Sequence, residues 1–128
     1  MALSDRLNQY QPYALGALRI VTGLQFMEHG TQKLFSFPVG TGHPLDGLST
    51  TAGILEFVGG LLITLGLFTR PVAFILSGEM AFAYFMAHMP RGFFPVVNGG
   101  DAAISFCFIF LLLVFAGPGA WALDNRNK

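Results

Sequence analysis

The residues of this 128-residue chain able to do chemistry are ionisable side chains set inside strongly apolar segments. Arg19, Gln25, Glu28, His29 and Lys33 lie in the first such segment, Glu56 in the second, Glu79 and His88 in the third, and Asp101 opens the fourth. A charge within a membrane span costs ~2.5–3.5 kcal/mol on insertion scales, so each implies a partner or a task. Counted inward from the outward helix ends at ~1.5 Å per residue, His29 and Glu56 both sit roughly 9 Å deep. Glu79 falls near the midplane, His88, Lys33 and Asp101 near the outer surface, and Arg19 toward the inner one. The chemistry this permits is proton handling, because burial and a neighbouring charge retune both a carboxylate and an imidazole. A structural hydrogen bond that merely ties the bundle together accounts for the same residues.

Helical spacing says which of these groups share a face. At about 100° per residue, Gln25, His29, Gln32 and Lys33 lie on one side of the first segment with Thr22 beside them, opposite Ile20, Leu24, Met27 and Leu34. Such a helix cannot face lipid all round and needs neighbours over its polar half. In the second segment Ala52, Glu56, Gly60 and Thr64 recur at i+4, widened by Gly53 and Gly59. Small residues let membrane helices approach closely, so Glu56 is expected against the first helix near Glu28 and His29. In the third segment Ser77, Ala81, Tyr84 and His88 share a face, with Glu79, Ala83 and Met86 nearly opposite. Without a kink, which Gly78 would permit, Glu79 and His88 do not point into one centre. If one lines the interior, the other faces a second subunit or, in the case of His88, the interface water; a midplane Glu79 on an outer face would imply a homo-oligomer.

His29 and His88, near the outward ends of parallel helices, are candidate axial haem ligands. The chain has no Cys-x-x-Cys-His or His-x-x-x-His, so haem ranks below other cofactors and no metal site is expected. His43, beside Asp46 on a loop, reads as solvated. The single Cys107 allows no internal disulfide. Phe and Met side chains of the third segment are able to wall a pocket for a flat apolar ligand, with packing as the default. Nucleotide loops and serine-nucleophile elbows are absent.

The elements that must position these groups follow from composition. The chain is 53% hydrophobic but only 11% charged, with fourteen phenylalanines, against about 25% charged in soluble domains. With a mean hydropathy of +0.59, this predicts an all-α integral membrane four-helix bundle. One domain, 1–128, has spans near 14–35, 50–69, 71–89 and 101–116, preceded by a polar lead-in. The segments approach the ~20 residues that cross ~30 Å of hydrocarbon. Zero formal charge excludes a nucleic-acid partner on electrostatic grounds; the partner expected is the lipid bilayer. Four spans put both termini on one side with Arg6, Arg70, Arg126 and Lys128, against Lys33 and Arg91 on the other. The positive-inside rule then makes the termini cytoplasmic.

These residues resemble the DoxX family of small bacterial four-helix membrane proteins. The resemblance runs through Arg19, Gly23, Phe26, His29-Gly30 and Lys33, then Glu56, Gly59-Gly60, Gly66 and Thr69-Arg70. It continues with Met80, Ala83, Pro90 and Asn98-Gly99-Gly100-Asp101, and ends in Gly117-Pro118-Gly119 and Leu123-Asp124. Asp101 stands where the family often has glutamate. The family takes its name from the small subunit of a thiosulfate:quinone oxidoreductase. The resemblance therefore implies a bacterial inner-membrane protein, quinone as cofactor, and a redox partner subunit as electron source. On that basis His29, Glu56 and Lys33 are expected to move protons. Arg19, Gln25, Glu28, Glu79, His88, Asn98 and Asp101 are expected to line an outward-half pocket between the first two helices. Two other functions fit: a small oligomeric transporter or channel with Arg19, Glu56 and Glu79 along a polar path, and a non-catalytic membrane partner of another enzyme.

Overall fold

A computed structural model describes residues 2–126; Lys128, counted above among the inner cations, lies outside the described residues. Among the described residues six α-helices run in chain order: α1 (Leu3–Asn8), α2 (Gln11–Phe35), α3 (Gly47–Leu65), α4 (Thr69–Ala83), α5 (Pro95–Asn98) and α6 (Asp101–Ala116). Among the described residues no strand is present, and the protein is an all-α integral membrane bundle. Four of the helices are long; α1 and α5 are short additions that the apolar pattern did not announce. The polar lead-in is itself helical, and α2 begins at Gln11 because Pro12 suits the first turn, where its missing N–H has no bond to lose.

Two helical stretches among the described residues, Gly47–Leu65 and Thr69–Arg91, are long and apolar enough on their own to cross a membrane. α2 has 25 residues but carries Arg19, Glu28 and Lys33. α6 carries no charge beyond Asp101 in its first turn but has 16 residues, about 24 Å of rise. These two helices complete the bundle by packing on the others.

Packing divides the bundle into two tight pairs, α2 with α3 and α4 with α6, joined by a looser α3–α4 contact and few α2–α6 contacts. The first pair is a backbone-to-backbone contact. A Cβ on Gly23 would stand 2.7 Å from the Thr64 nitrogen, and one on Gly60 2.6 Å from the Met27 nitrogen. Only residues without a side chain let two helices meet so closely. In the second pair Ser77 Oγ donates to the Cys107 carbonyl at 2.8 Å. Phe26 meets Phe106 and Phe110 edge-on in the centre, with Phe26 and Phe110 centroids 4.9 Å apart, while Phe106 and Phe110 lie nearly parallel.

One end of the bundle is clamped by Arg19. Its side chain is fully buried and donates to the carbonyls of Pro118, Ala120 and Trp121, the turn that ends α6. The Ala120 N–H also donates to Pro12 O at 2.8 Å, so the segments next to both termini meet at this end. Asp124 accepts from the Phe68 and Thr69 N–H groups at 2.8 and 2.9 Å, capping α4 from outside the helix. Partial desolvation raises its carboxyl, but these N–H groups and the nearby Arg19 guanidinium outweigh that and hold it below the usual carboxylate range.

At the opposite end α3 starts three residues earlier than the apolar run implied. The Asp46 carboxylate accepts from the Ser49 N–H at 2.7 Å, an N-cap that fixes the helix start. That bond, followed by others from the same turn, also keeps the Asp46 carboxyl low. After α4 the chain tightens and loosens in turn: Tyr84–His88 form a π-helical turn and Met89–Arg91 a 3-10 turn before α5.

Candidate functional site

Where the two helix pairs diverge, at the end away from Arg19, they leave a cavity of about 820 Å³, within the size range of small-molecule sites. Its walls come from all four long helices, so it is not confined to the seam between the first two. Phe26, Met80 and Phe106 supply apolar surface; His29, Lys33, Glu56, Glu79 and His88 supply the polar groups.

At its centre Lys33 Nζ donates to Glu56 Oε1 at 2.6 Å, with the Glu56 side chain 4% exposed and that of Lys33 26%. The small-residue stripe of α3 explains the depth of Glu56, since Gly53, Gly59 and Gly60 let α2 and α4 close over it. The glutamate thus faces α2 as the stripe requires, but one turn beyond His29, against Lys33. The Glu79 carboxyl stands beside Glu56 and within electrostatic reach of Lys33. Its Oε1 is buried without a hydrogen-bond partner. Two carboxyl groups and one ammonium therefore share one low-dielectric spot, with one buried oxygen (Glu79 Oε1) left without a partner.

Ideal-helix spacing had put Glu79 and His88 on opposite faces, so that only one of them would line the interior. Both instead line this one cavity. The π-helical turn at Tyr84–His88 holds an extra residue, which shifts the phase of the helix and swings His88 round. His88 is then held by its Nδ1, 3.1 Å from the Asn98 carbonyl, and by stacking on Tyr84. Asn98 is buried, with Nδ2 donating to Tyr84 Oη and Gly92 O at 3.0 Å each while Oδ1 accepts from Gly100 N–H at 2.8 Å. It braces the cavity rim and does not line it.

The other expected pocket residues fall elsewhere. Arg19 belongs to the clamp at the far end, occupied by backbone carbonyls. Gln25 and Glu28 are exposed and line a separate groove of about 350 Å³ between α2 and α6, with Ser105 and Ile109. His29 and Phe106 form the wall common to groove and cavity, with ring centroids 5.9 Å apart. Asp101 is exposed in the first turn of α6 and lines neither. Sequence spacing missed Ser49, Thr51 and Phe106 as lining residues; nothing in their type marks them, since hydroxyls and phenylalanines are spread along the chain. Among the described residues no group of three or more His, Cys, Asp or Glu side chains suited to a metal ion occurs.

Comparison with known proteins places this architecture. The DoxX family model matches residues 14–89. An uncharacterized protein of Haemophilus influenzae is 48% identical, with 95% of this chain and 96% of that one covered. An uncharacterized membrane protein of Mycobacterium tuberculosis is 29% identical over 90% of this chain and 82% of its own length. The inner membrane protein YphA of Escherichia coli is 30% identical, with 91% of each chain covered. No solved structure matches.

Proposed function

Because the chain belongs to the DoxX family, with the family model covering residues 14–89, we propose that it is the membrane component of a quinone-linked oxidoreductase. The supporting observation is a single cavity of mainly apolar wall that holds a buried Lys33–Glu56 pair at 2.6 Å beside an unpartnered carboxylate oxygen of Glu79. A flat ring with polar oxygens fits that donor set: aromatic walls for its faces, an ammonium donor and carboxyl groups for its edge. Quinone supplies two-electron, two-proton carrier chemistry when bound. Lys33 Nζ donates at a ligand oxygen, Glu56 keeps that ammonium oriented, and Glu79 holds or releases a proton at its free oxygen. His29, in the wall shared with the polar groove, passes protons between groove and cavity. Electrons come from a redox partner subunit.

The relative YphA is named an inner membrane protein, which supports that location here. With Arg6, Arg70 and Arg126 near the Arg19 end, the positive-inside rule makes that end cytoplasmic and the cavity end outward. The transporter alternative needs Arg19 on a polar path, and Arg19 is instead enclosed by the carbonyls of the Pro118–Trp121 turn.

The test is made on protein purified in mild detergent: an absorption spectrum before and after dithionite, then solvent extraction and mass analysis for quinones. Stoichiometric quinone, lost in Glu56→Gln, is the expected result. An empty extract, together with no binding of added decyl-benzoquinone, overturns the proposal.

A further inference from the structure

α3 and α4 form a V. They are joined by the tight Gly66–Phe68 turn at the clamped end, and they touch at Gly59, where an added Cβ would lie 2.8 Å from Leu76 Cδ2. Beyond that contact the cavity fills the space between them. The side chains at its mouth are apolar and turned outward: Leu48 is 57% exposed, Ile75 55%, Phe82 57% and Met86 51%, though all four also line the cavity. The α2–α6 side differs in chemistry, for there His29 borders a groove of Gln25, Glu28 and Ser105. One face of the cavity is thus apolar and the other polar.

The geometry points to a lateral portal between α3 and α4, through which an amphipathic, lipid-dissolved molecule reaches the Lys33–Glu56–Glu79 cluster directly from the bilayer. Its polar head rests on the cluster and its long apolar tail lies in the V, between Leu48 and Thr51 on one side and Phe82 and Met86 on the other. In a bilayer, exposed apolar side chains around an opening keep water out and are solvated by acyl chains, so passage of a tail costs no polar desolvation. A water-soluble substrate has no comparable route there. The inference rests on the cavity being a ligand site, as proposed above, and specifies the ligand as one with a membrane-soluble tail.

The experiment uses the full chain in lipid nanodiscs with a diazirine-bearing palmitate as probe, photolysis, and peptide mapping. Adducts are expected at Leu55 and Ala83, which line the cavity, and at Phe74, which is on the lipid-facing surface of α4 and 67% exposed. Adding an indole on either side of the V, by Thr51→Trp or Met86→Trp, should lower labelling at Leu55 and Ala83 at least about fivefold, the lower end of what an overpacked contact costs. Phe74 should be labelled as before, which verifies folding and insertion. Unchanged labelling at Leu55 and Ala83 in both variants, or none there in the wild type while Phe74 is labelled, overturns the portal. Labelling that follows the portal while decyl-benzoquinone fails to compete with the probe upholds the portal and removes quinone as the occupant.

Discussion

Replacing Lys33 with methionine takes away the cation that, among the described residues, is the hydrogen-bonded partner of Glu56. The glutamate side chain is 4% exposed and its neighbour is a second carboxyl, Glu79. Removing one member of a buried ion pair costs about 3–5 kcal/mol, because the other charge is left uncompensated. Lys33 is 26% exposed, so water reaches the vacated position and the expected loss is nearer 2–3 kcal/mol. Glu56→Leu should cost a similar amount by stranding the ammonium. The double variant Lys33→Met/Glu56→Leu removes both charges and fills the volume with apolar atoms, so it should return to within about 1 kcal/mol of wild type. The cycle then yields a coupling of about 3 kcal/mol or more. Unfolding in mixed detergent and SDS micelles, followed by circular dichroism, measures all four proteins. Single losses below about 0.5 kcal/mol, or additive losses, would refute the assignment of this pair as a desolvated, mutually dependent unit.

Glu56→Gln keeps the shape and a hydrogen-bond acceptor, so it should fold like wild type yet lose proton-coupled activity or ligand binding, whereas Glu56→Leu should lose stability as well; wild-type function in both would remove Glu56 from the mechanism. Gly60→Ala places a Cβ 2.6 Å from the Met27 nitrogen, forcing α2 and α3 apart at a cost of about 1–3 kcal/mol, read in the same unfolding assay. Asp124→Ala removes the acceptor of the Phe68 and Thr69 N–H groups and should cost about 1–2 kcal/mol at neutral pH. Because the folded carboxyl is held below its ordinary value of 3.8, its stabilisation is present above that pH and fades as pH falls through the lower folded value. The gap between wild type and Asp124→Ala should therefore close in strong acid, and a gap that stays constant would refute the charge-assisted cap. Asn98→Ala strands the Gly100 N–H and frees Tyr84, and should cost about 2–3 kcal/mol while loosening the rim that holds His88, detected as faster amide exchange in the 89–100 segment.

Much of the bundle was legible before any coordinates, because apolar length and small-residue spacing act locally. The i+4 stripe of Ala52, Glu56, Gly60 and Thr64 foretold that Glu56 would face inward and that α3 would be pressed against α2. For the Phe and Met side chains of the third segment packing was the default reading and a pocket wall the alternative; Met80, Phe82 and Met86 do line the cavity. The start of α3 was also readable from Asp46, a residue type that favours the N-cap, whereas the expected span opened at Thr50. Arg19 was read as pocket-lining although it shares its end of the bundle with the Gly117-Pro118-Gly119 turn, whose free carbonyls suit a guanidinium.

By itself, the sequence determined that four long, largely apolar helices would form a membrane bundle and that Glu56 would turn inward, because a charge exposed to hydrocarbon costs more than a helix can recover alone. Tertiary structure decided which of the ionisable groups meet. By depth His29, level with Glu56, was the expected contact and Lys33 lay nearer the surface; the register of α2 on α3, set by glycine backbones at Gly23 and Gly60, selected Lys33 instead. Glu79 and His88 converge because of a π-helical turn, a change of one residue in helical phase that no periodicity encodes. The cavity itself arises from two helix pairs that pack more tightly within than between. That difference is a property of the assembled surfaces, and no single segment carries it.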